Sequence, residues 1–263
     1  QRELWMRDGR VPADYPGRVA ADCPELLRVL ETSVKPERQR RDPKGTFVLR
    51  SPLPQRWWHY ADKRPALYHA IGRGAVFARH PDGWTDEHRM EQVFAICRVT
   101  KFVAPAIIKS EQVIAERVVV FAESRYGMFA MLCSSLHEVW ARKNASTFET
   151  RLNYTPTDAY ETLPKPGAGL SGVEALGAEY ARNREQFMTT EAVGLTDFYN
   201  LFHDPARQDP RLVSLRALLA DIDRALLSAY SWTDLNPEHG YHEVASLPAN
   251  DQVRFTISEA ARL

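Results

Sequence analysis

Apolar residues recur along this chain in two rhythms, and the changes between them suggest its organisation. Leu26, Leu27, Leu30 and Val34 fall at helical spacing, with Asp22 placed to cap and Pro24 suited to a first turn, so the pattern predicts an amphipathic helix after Cys23. Pro36 and Pro43 interrupt the basic run Lys35, Arg38, Arg40, Arg41 and Lys44, which should end that helix and begin an extended segment near Gly45. The first 20 residues carry little periodicity beyond Leu4, Trp5 and Met6 and read as an arm.

Trp57, Trp58 and Tyr60 precede Pro65, the expected start of a short helix bearing Leu67, Tyr68 and Ile71. The runs 93 to 100, 103 to 109 and 116 to 122 are rich in Val, Ile and Phe and predict strands, with Pro105 confining the middle one to an edge or a bulge. A helical stripe follows over 126 to 141, then an alternating strand from Phe148 to Tyr154 and an exit through Pro156, Pro164 and Pro166. Helices are expected over 173 to 190, near Thr196 to Phe202, and over 211 to 230, the last opened by Asp209 and Pro210. The fold class is therefore α+β, a small mixed or antiparallel sheet with packed helices, followed by a helical C-terminal module. Its expected divisions are an arm and connector helix (1–45), a central domain (46–166) and the helical module (167–263).

The 263 residues are 44% hydrophobic and 26% charged, the balance of a folded globular chain rather than a disordered one. No run of apolar residues is long enough for a membrane span, and no secretory leader opens the chain, so a cytoplasmic location without membrane contact is expected. Cys23, Cys97 and Cys133 are widely spaced and odd in number, which suggests neither a disulfide framework nor a thiolate zinc site. The formal charge is zero, yet residues 1–165 carry +6 and residues 166–263 carry −6. That asymmetry hints at an anion-facing part. The absence of an initiating Met suggests a piece of something larger.

Signatures of phosphate-binding loops, dinucleotide folds and the nucleophile elbow of hydrolases are all missing from the sequence. His239, His242 and Glu243 have a spacing a zinc site can use, but it is common by chance. Ser134, Ser135 and His137 tempt toward a nucleophile and base, yet lack a third orienting group. Neither catalytic nor metal-ligating residues are assigned. The more specific feature is Glu149-Thr150-Arg151: on a strand, residues i and i+2 share a face about 6 to 7 Å apart. Arg donates two hydrogen bonds to guanine and Glu accepts from cytosine, so the pair has the polarity to read a G·C pair. The alternative is an ordinary surface ion pair worth roughly 0 to 1 kcal/mol. Arg98, Lys101, Lys109 and Arg117 are candidates for phosphate contacts, or else a solvated face. Trp57 and Trp58 can stack on an extruded base or simply pack.

The run FAMLCSSLHEVWARKNASTFETRLNYTPTDAYETLPKP, Phe129 to Pro166, resembles the segment closing the target-recognition domain of type IIG/IIL (MmeI-like) restriction-modification adenine methyltransferases and of related phage-defence methylases such as those of DISARM systems. The likeness rests on Ser134, His137 and Trp140, then Glu149, Arg151 and Tyr154, then Tyr160, Leu163, Pro164 and Pro166. Val34 to Arg38 and Arg56 to Tyr60 also look like the opening of that domain. Leu152 and Leu163 stand where the family often has aromatic residues.

The resemblance implies a DNA-reading module of an adenine-N6 methyltransferase, with duplex DNA and an upstream methyltransferase domain of the same polypeptide as partners. It implies S-adenosylmethionine for the parent enzyme and no cofactor for this fragment, since neither the cofactor loop nor Asn-Pro-Pro-Tyr occurs here. Pro81-Asp82 lacks a following acid-x-Lys, so no nuclease cluster is expected. In such relatives the Glu-x-Arg pair is implicated in reading one base pair. The competing expectation is a scaffold that recruits partner subunits of a defence complex.

Overall fold

A computed structural model describes residues 19–60, 64–73 and 89–262. Leu4, Trp5 and Met6 of the expected arm, and Pro81-Asp82, lie outside the described residues. The chain divides into two compact units, Gln1–Arg64 and Pro65–Leu263.

In the first unit, α1 (Pro24–Val29) opens with proline at its first position, where a missing N–H costs nothing. It does not stop at Pro36 as the sequence predicts. A π-helical turn, Leu30–Val34, carries the chain into α2 (Lys35–Arg38), widening the coil where the proline ring and absent donor would break an α turn. The next turn is tied by the Asp42 carboxylate, which accepts from the N–H groups of Lys44 and Thr46 at 2.9 Å, while Gly45 takes φ +80°. Arg41 and Phe47 then pair across it, so the expected 45/46 boundary falls inside a closed turn. Trp57 and Trp58 meet edge to face at 5.7 Å, and the Lys35 ammonium lies 5.3 Å from the Trp57 ring centre. This is packing within the unit rather than an open stacking platform.

The second unit begins with α3 (Pro65–Ala70), which buries Tyr68, and Ile71 beyond it, with Val93. Four strands follow: β1 (Gln92–Cys97), β2 (Val99–Thr100), β3 (Ala106–Lys109) and β4 (Val118–Phe121). β1, β3 and β4 form an antiparallel sheet ordered β3-β1-β4, with β3 at an edge directly after Pro105, as its missing donor requires. The stripe predicted as one helix is two, α4 (Tyr126–Cys133) and α5 (Ser135–Asn144), broken by an extended Ser134 (φ −65°, ψ 152°). β5 (Ser146–Phe148) and β6 (Arg151–Asn153) join β2 in a second antiparallel sheet, ordered β2-β6-β5. The short α6 (Pro156–Ala159) leads into the exit segment.

Three C-terminal helices, α7 (Glu174–Thr190), α8 (Leu195–Phe202) and α9 (Pro210–Ala229), agree with the pattern. They are not a separate module by packing. One buried cluster runs from Phe94 and Phe129 through Tyr180 and Phe198 to Leu226, across the expected 166/167 boundary. α4 is apolar all round because it is buried all round, and α7 crosses it so closely that a Cβ on Gly177 would stand 2.1 Å from the Tyr126 carbonyl oxygen. Glu174 of α7 accepts from the N–H groups of Tyr126 (2.8 Å) and Gly127 (2.6 Å), placing a carboxylate on the exposed donors that begin α4. Buried Arg216 of α9 likewise donates to the carbonyls of Phe202 and Arg207, both at 2.8 Å, and of Leu201, closing the C-terminal end of α8.

Beyond α9 the chain is not helical alone: β7 (Gly240–Glu243) and β8 (Val253–Thr256) form an antiparallel pair, and α10 (Glu259–Arg262) follows. Tyr241 alternates with Gly240 and His242 too briefly for a strand to be read from sequence. No helix among the described residues is long and apolar enough to cross a membrane.

Candidate nucleic-acid interface

The alternating run Phe148 to Tyr154 is a hairpin, not one strand. Phe148 pairs with Arg151, leaving Glu149 and Thr150 as a two-residue turn. Glu149 takes φ +55°, the left-handed region where glycine is usual. Glu149 and Arg151 therefore do not project from one strand face as i and i+2. They stand together at the hairpin tip, one in the turn and one on the first rung, and both are exposed.

The register determines what else shares the Arg151 face. Leu152 and Tyr154 point inward at 2% and 0% exposure, so Arg151 and Asn153 point outward. Asn153 pairs with Ser146 on one side and Val99 on the other, and Arg151 pairs with Phe148. The outward face thus carries Val99, Ser146, Phe148, Arg151 and Asn153. Asn153 donates to the Ser146 hydroxyl at 3.0 Å.

Behind this face lies the motif Ser134, His137 and Trp140. Ser134 caps α5, accepting from the His137 N–H at 3.1 Å while its hydroxyl donates to the Met131 carbonyl at 2.7 Å. His137 is wholly buried: Nδ1–H donates to the Leu132 carbonyl at 2.8 Å, leaving Nε2 to accept from the Tyr154 hydroxyl at 2.9 Å. Burial drives its pKa down to about 4, fixing the neutral ring that this bonding needs. Neither group is available as nucleophile or base. The pair instead ties α5 to the end of the β5-β6 hairpin, and Trp140 Nε1 donates to the Thr162 hydroxyl at 3.0 Å to hold the exit segment. Asp223 of α9 accepts from the Ser135 N–H (3.0 Å) and from His239 Nε2–H (2.8 Å). His239 is thus spent on that carboxylate, and His242 donates to the Glu238 carbonyl at 2.7 Å. No cluster of His, Cys, Asp and Glu able to hold a metal ion occurs among the described residues.

The four scattered cations separate into three situations. Arg98 and Arg117 are exposed neighbours: the Arg98 N–H donates to the Arg117 carbonyl at 2.8 Å, and the Arg98 carbonyl accepts from the Tyr154 N–H at 2.6 Å. Arg98 is thereby the link between the two sheets, and it brings both cations beside the hairpin. Lys101 continues β2 toward the tip, but its ammonium meets Asp251 at 2.7 Å and Asn200 at 3.0 Å. That is a structural tie to the C-terminal segment, so this cation, unlike Arg98 and Arg117, is already paired within the fold. Lys109 pairs with Gln92 at the far end of β1, roughly 20 Å along the strand from Arg98. It lines an 880 Å³ cleft between β3 and α7 and is not brought to the hairpin.

Phe148, Asn153 and Val99 were not singled out from the sequence. A Gly or Asn at 149 or 150 would have announced the turn and hence the face; Glu-Thr carries no such signal.

Residues 77–167 match the family model described as the target recognition domain of MmeI. No curated protein matches the chain. A solved structure of the type IIL restriction-modification enzyme MmeI in complex with DNA is similar over 85% of this chain with a TM-score of 0.52 and 14% identity. The chain spans 26% of that enzyme's length.

Proposed function

We propose that this chain, whose residues 77–167 match the model of the MmeI target recognition domain, binds duplex DNA and selects the site at which a type II restriction-modification adenine-N6 methyltransferase acts. In this reading it supplies the address, while the methyltransferase domain of the parent polypeptide holds S-adenosylmethionine and performs the chemistry. The observation that carries the reading is the hairpin tip: an exposed carboxylate and an exposed guanidinium at the end of β5-β6, beyond the two rungs that β2 adds to β6, with Arg98 and Arg117 beside its root. The major groove, about 12 Å wide, admits two paired strands, which is what the hairpin is at the Phe148–Arg151 rung. Arg151 donates in pairs to guanine N7 and O6, and Glu149 accepts from cytosine N4.

The backbone supports the same reading. A non-glycine residue in the left-handed region costs about 1 to 2 kcal/mol, so the turn keeps a carboxylate at a position where glycine would fold more easily. Arg98 and Arg117 orient the duplex through phosphates and make binding salt-dependent.

The test is the methylation pattern of the full enzyme carrying Arg151→Ala. Loss or relaxation of specificity at one G·C position is expected, equivalent to about 1 to 3 kcal/mol of discrimination. An unchanged set of methylated sites refutes the role of the pair. A salt series of duplex binding distinguishes the competing scaffold reading, which predicts no binding even at low salt.

A further inference from the structure

Phe148 is the largest apolar side chain on the outward face of the β2-β6-β5 sheet, and it is 59% exposed. It belongs to neither buried cluster, although Leu152 on the neighbouring strand is sealed at 2%. The hairpin therefore had an inward position for an apolar group and used it for Leu152, while placing an aromatic ring outward at the tip. Val99, 40% exposed on the same face beside Asn153, extends the apolar surface toward the root. An isolated exposed apolar residue needs no explanation, but here the ring lies directly across from the one guanidinium of that face.

We infer that Phe148 is a third base-reading residue, packing on the 5-methyl group of a thymine next to the base pair that Glu149 and Arg151 read. This rests on the DNA-reading function proposed above. Cross-strand partners hold their Cβ atoms about 5 Å apart, and successive base pairs rise 3.4 Å along the duplex. Two such side chains entering one groove accordingly meet the same or adjacent base pairs. In the major groove the thymine methyl is the apolar feature among donors and acceptors, and an aromatic ring is suited to it while a phosphate is not. One rung of the hairpin thus combines a paired donor for guanine with an apolar contact for thymine, and reads two neighbouring positions.

The experiment selects duplexes from a randomised pool with the wild-type chain and with Phe148→Ala and Phe148→Leu, then replaces each thymine of the selected duplex with uracil. Phe148→Ala is expected to lose the thymine preference at one position and to keep the guanine preference that depends on Arg151. Phe148→Leu retains part of the thymine preference. Uracil at that position weakens wild-type binding by roughly fourfold, the value of one buried methyl group, and leaves Phe148→Ala unaffected. Because the ring is exposed, thermal melting of the variants should match wild type, so lost selection is not lost folding. An unchanged pool from Phe148→Ala overturns the inference while leaving DNA reading intact. Increased fluorescence from 2-aminopurine beside the site also overturns it, by indicating that the ring wedges between bases. A wild-type chain that retains no duplex at low salt overturns the proposed function itself.

Discussion

The two sides of the β2-β6-β5 sheet treat polar groups in opposite ways. On the helix side, His137 is bonded through both ring nitrogens, and Arg184 of α7 donates to the Tyr199 hydroxyl (3.1 Å) and the Pro105 carbonyl (2.6 Å) with its guanidinium 5.0 Å from the Phe129 ring centre. On the outward side Arg151 is exposed, as are Glu149 in the turn and Arg98 and Arg117 near the hairpin root, and no ion pair joins them among the described residues. Buried polar groups left unbonded cost about 1 to 3 kcal/mol each, so the first set must be satisfied within the fold. The second set keeps its hydrogen-bonding capacity for something outside. A bonded support on one side and an uncommitted surface on the other is what the proposed recognition role requires.

The largest expected effect lies on the support side. Gly177→Ala forces a methyl into the Tyr126 carbonyl, backbone against backbone, and should cost about 3 kcal/mol, seen as a fall in melting temperature. Selection of duplex by the remaining folded protein should not change; altered selection would mean the two sides are coupled rather than separate.

Acid should attack the same side. Burial lowers the pKa of His137 to about 4 and of His203 to about 3, from an ordinary 6.5. Below pH 6.5 the unfolded chain therefore takes up protons that the folded chain refuses, and stability is lost as pH falls from there toward the folded values. Between pH 7 and 5 the loss is about 2 kcal/mol for each histidine, measurable as a shift in denaturant midpoint. A midpoint flat across that window would show that the support is not sealed.

Effects on the outward side are smaller in stability and larger in selection. Glu149→Gly relieves the left-handed turn and should stabilise the chain by about 1 kcal/mol while removing its cytosine preference. Loss of stability instead would make the carboxylate structural. Smallest are single phosphate contacts: Arg98→Ala and Arg117→Ala should each reduce the slope of log affinity against log salt by about one, whereas Lys101→Ala, already spent on Asp251, should leave that slope unchanged. Equal effects from all three would erase the distinction between tied and free cations.

Much of this support was legible in the sequence. Leu212, Leu215, Leu219, Ile222 and Leu226 announce α9, with Asp209 accepting from the Arg211 N–H at its start, and Pro105 marks an edge strand. What escaped were features set by distant residues. The break at Ser134 depends on the Asp223 carboxylate meeting the Ser135 N–H across the core, and the fate of Lys101 depends on Asp251, both partners far along the chain. The candidate site was legible only as charge chemistry: it singled out Glu149 and Arg151, but without turn residues at 149 and 150 the run read as one strand. The face was accordingly misdrawn and Phe148 overlooked.

The two-residue turn has a consequence for how such a module can change. Side chains on the two faces are mechanically decoupled, because inward Leu152 and Tyr154 hold the hairpin while outward Phe148 and Arg151 are exposed and only Asn153 is tied, to the Ser146 hydroxyl. The outward positions behave as exchangeable type set in a fixed frame, so under the proposed function their side chains can be replaced letter by letter without recasting the protein.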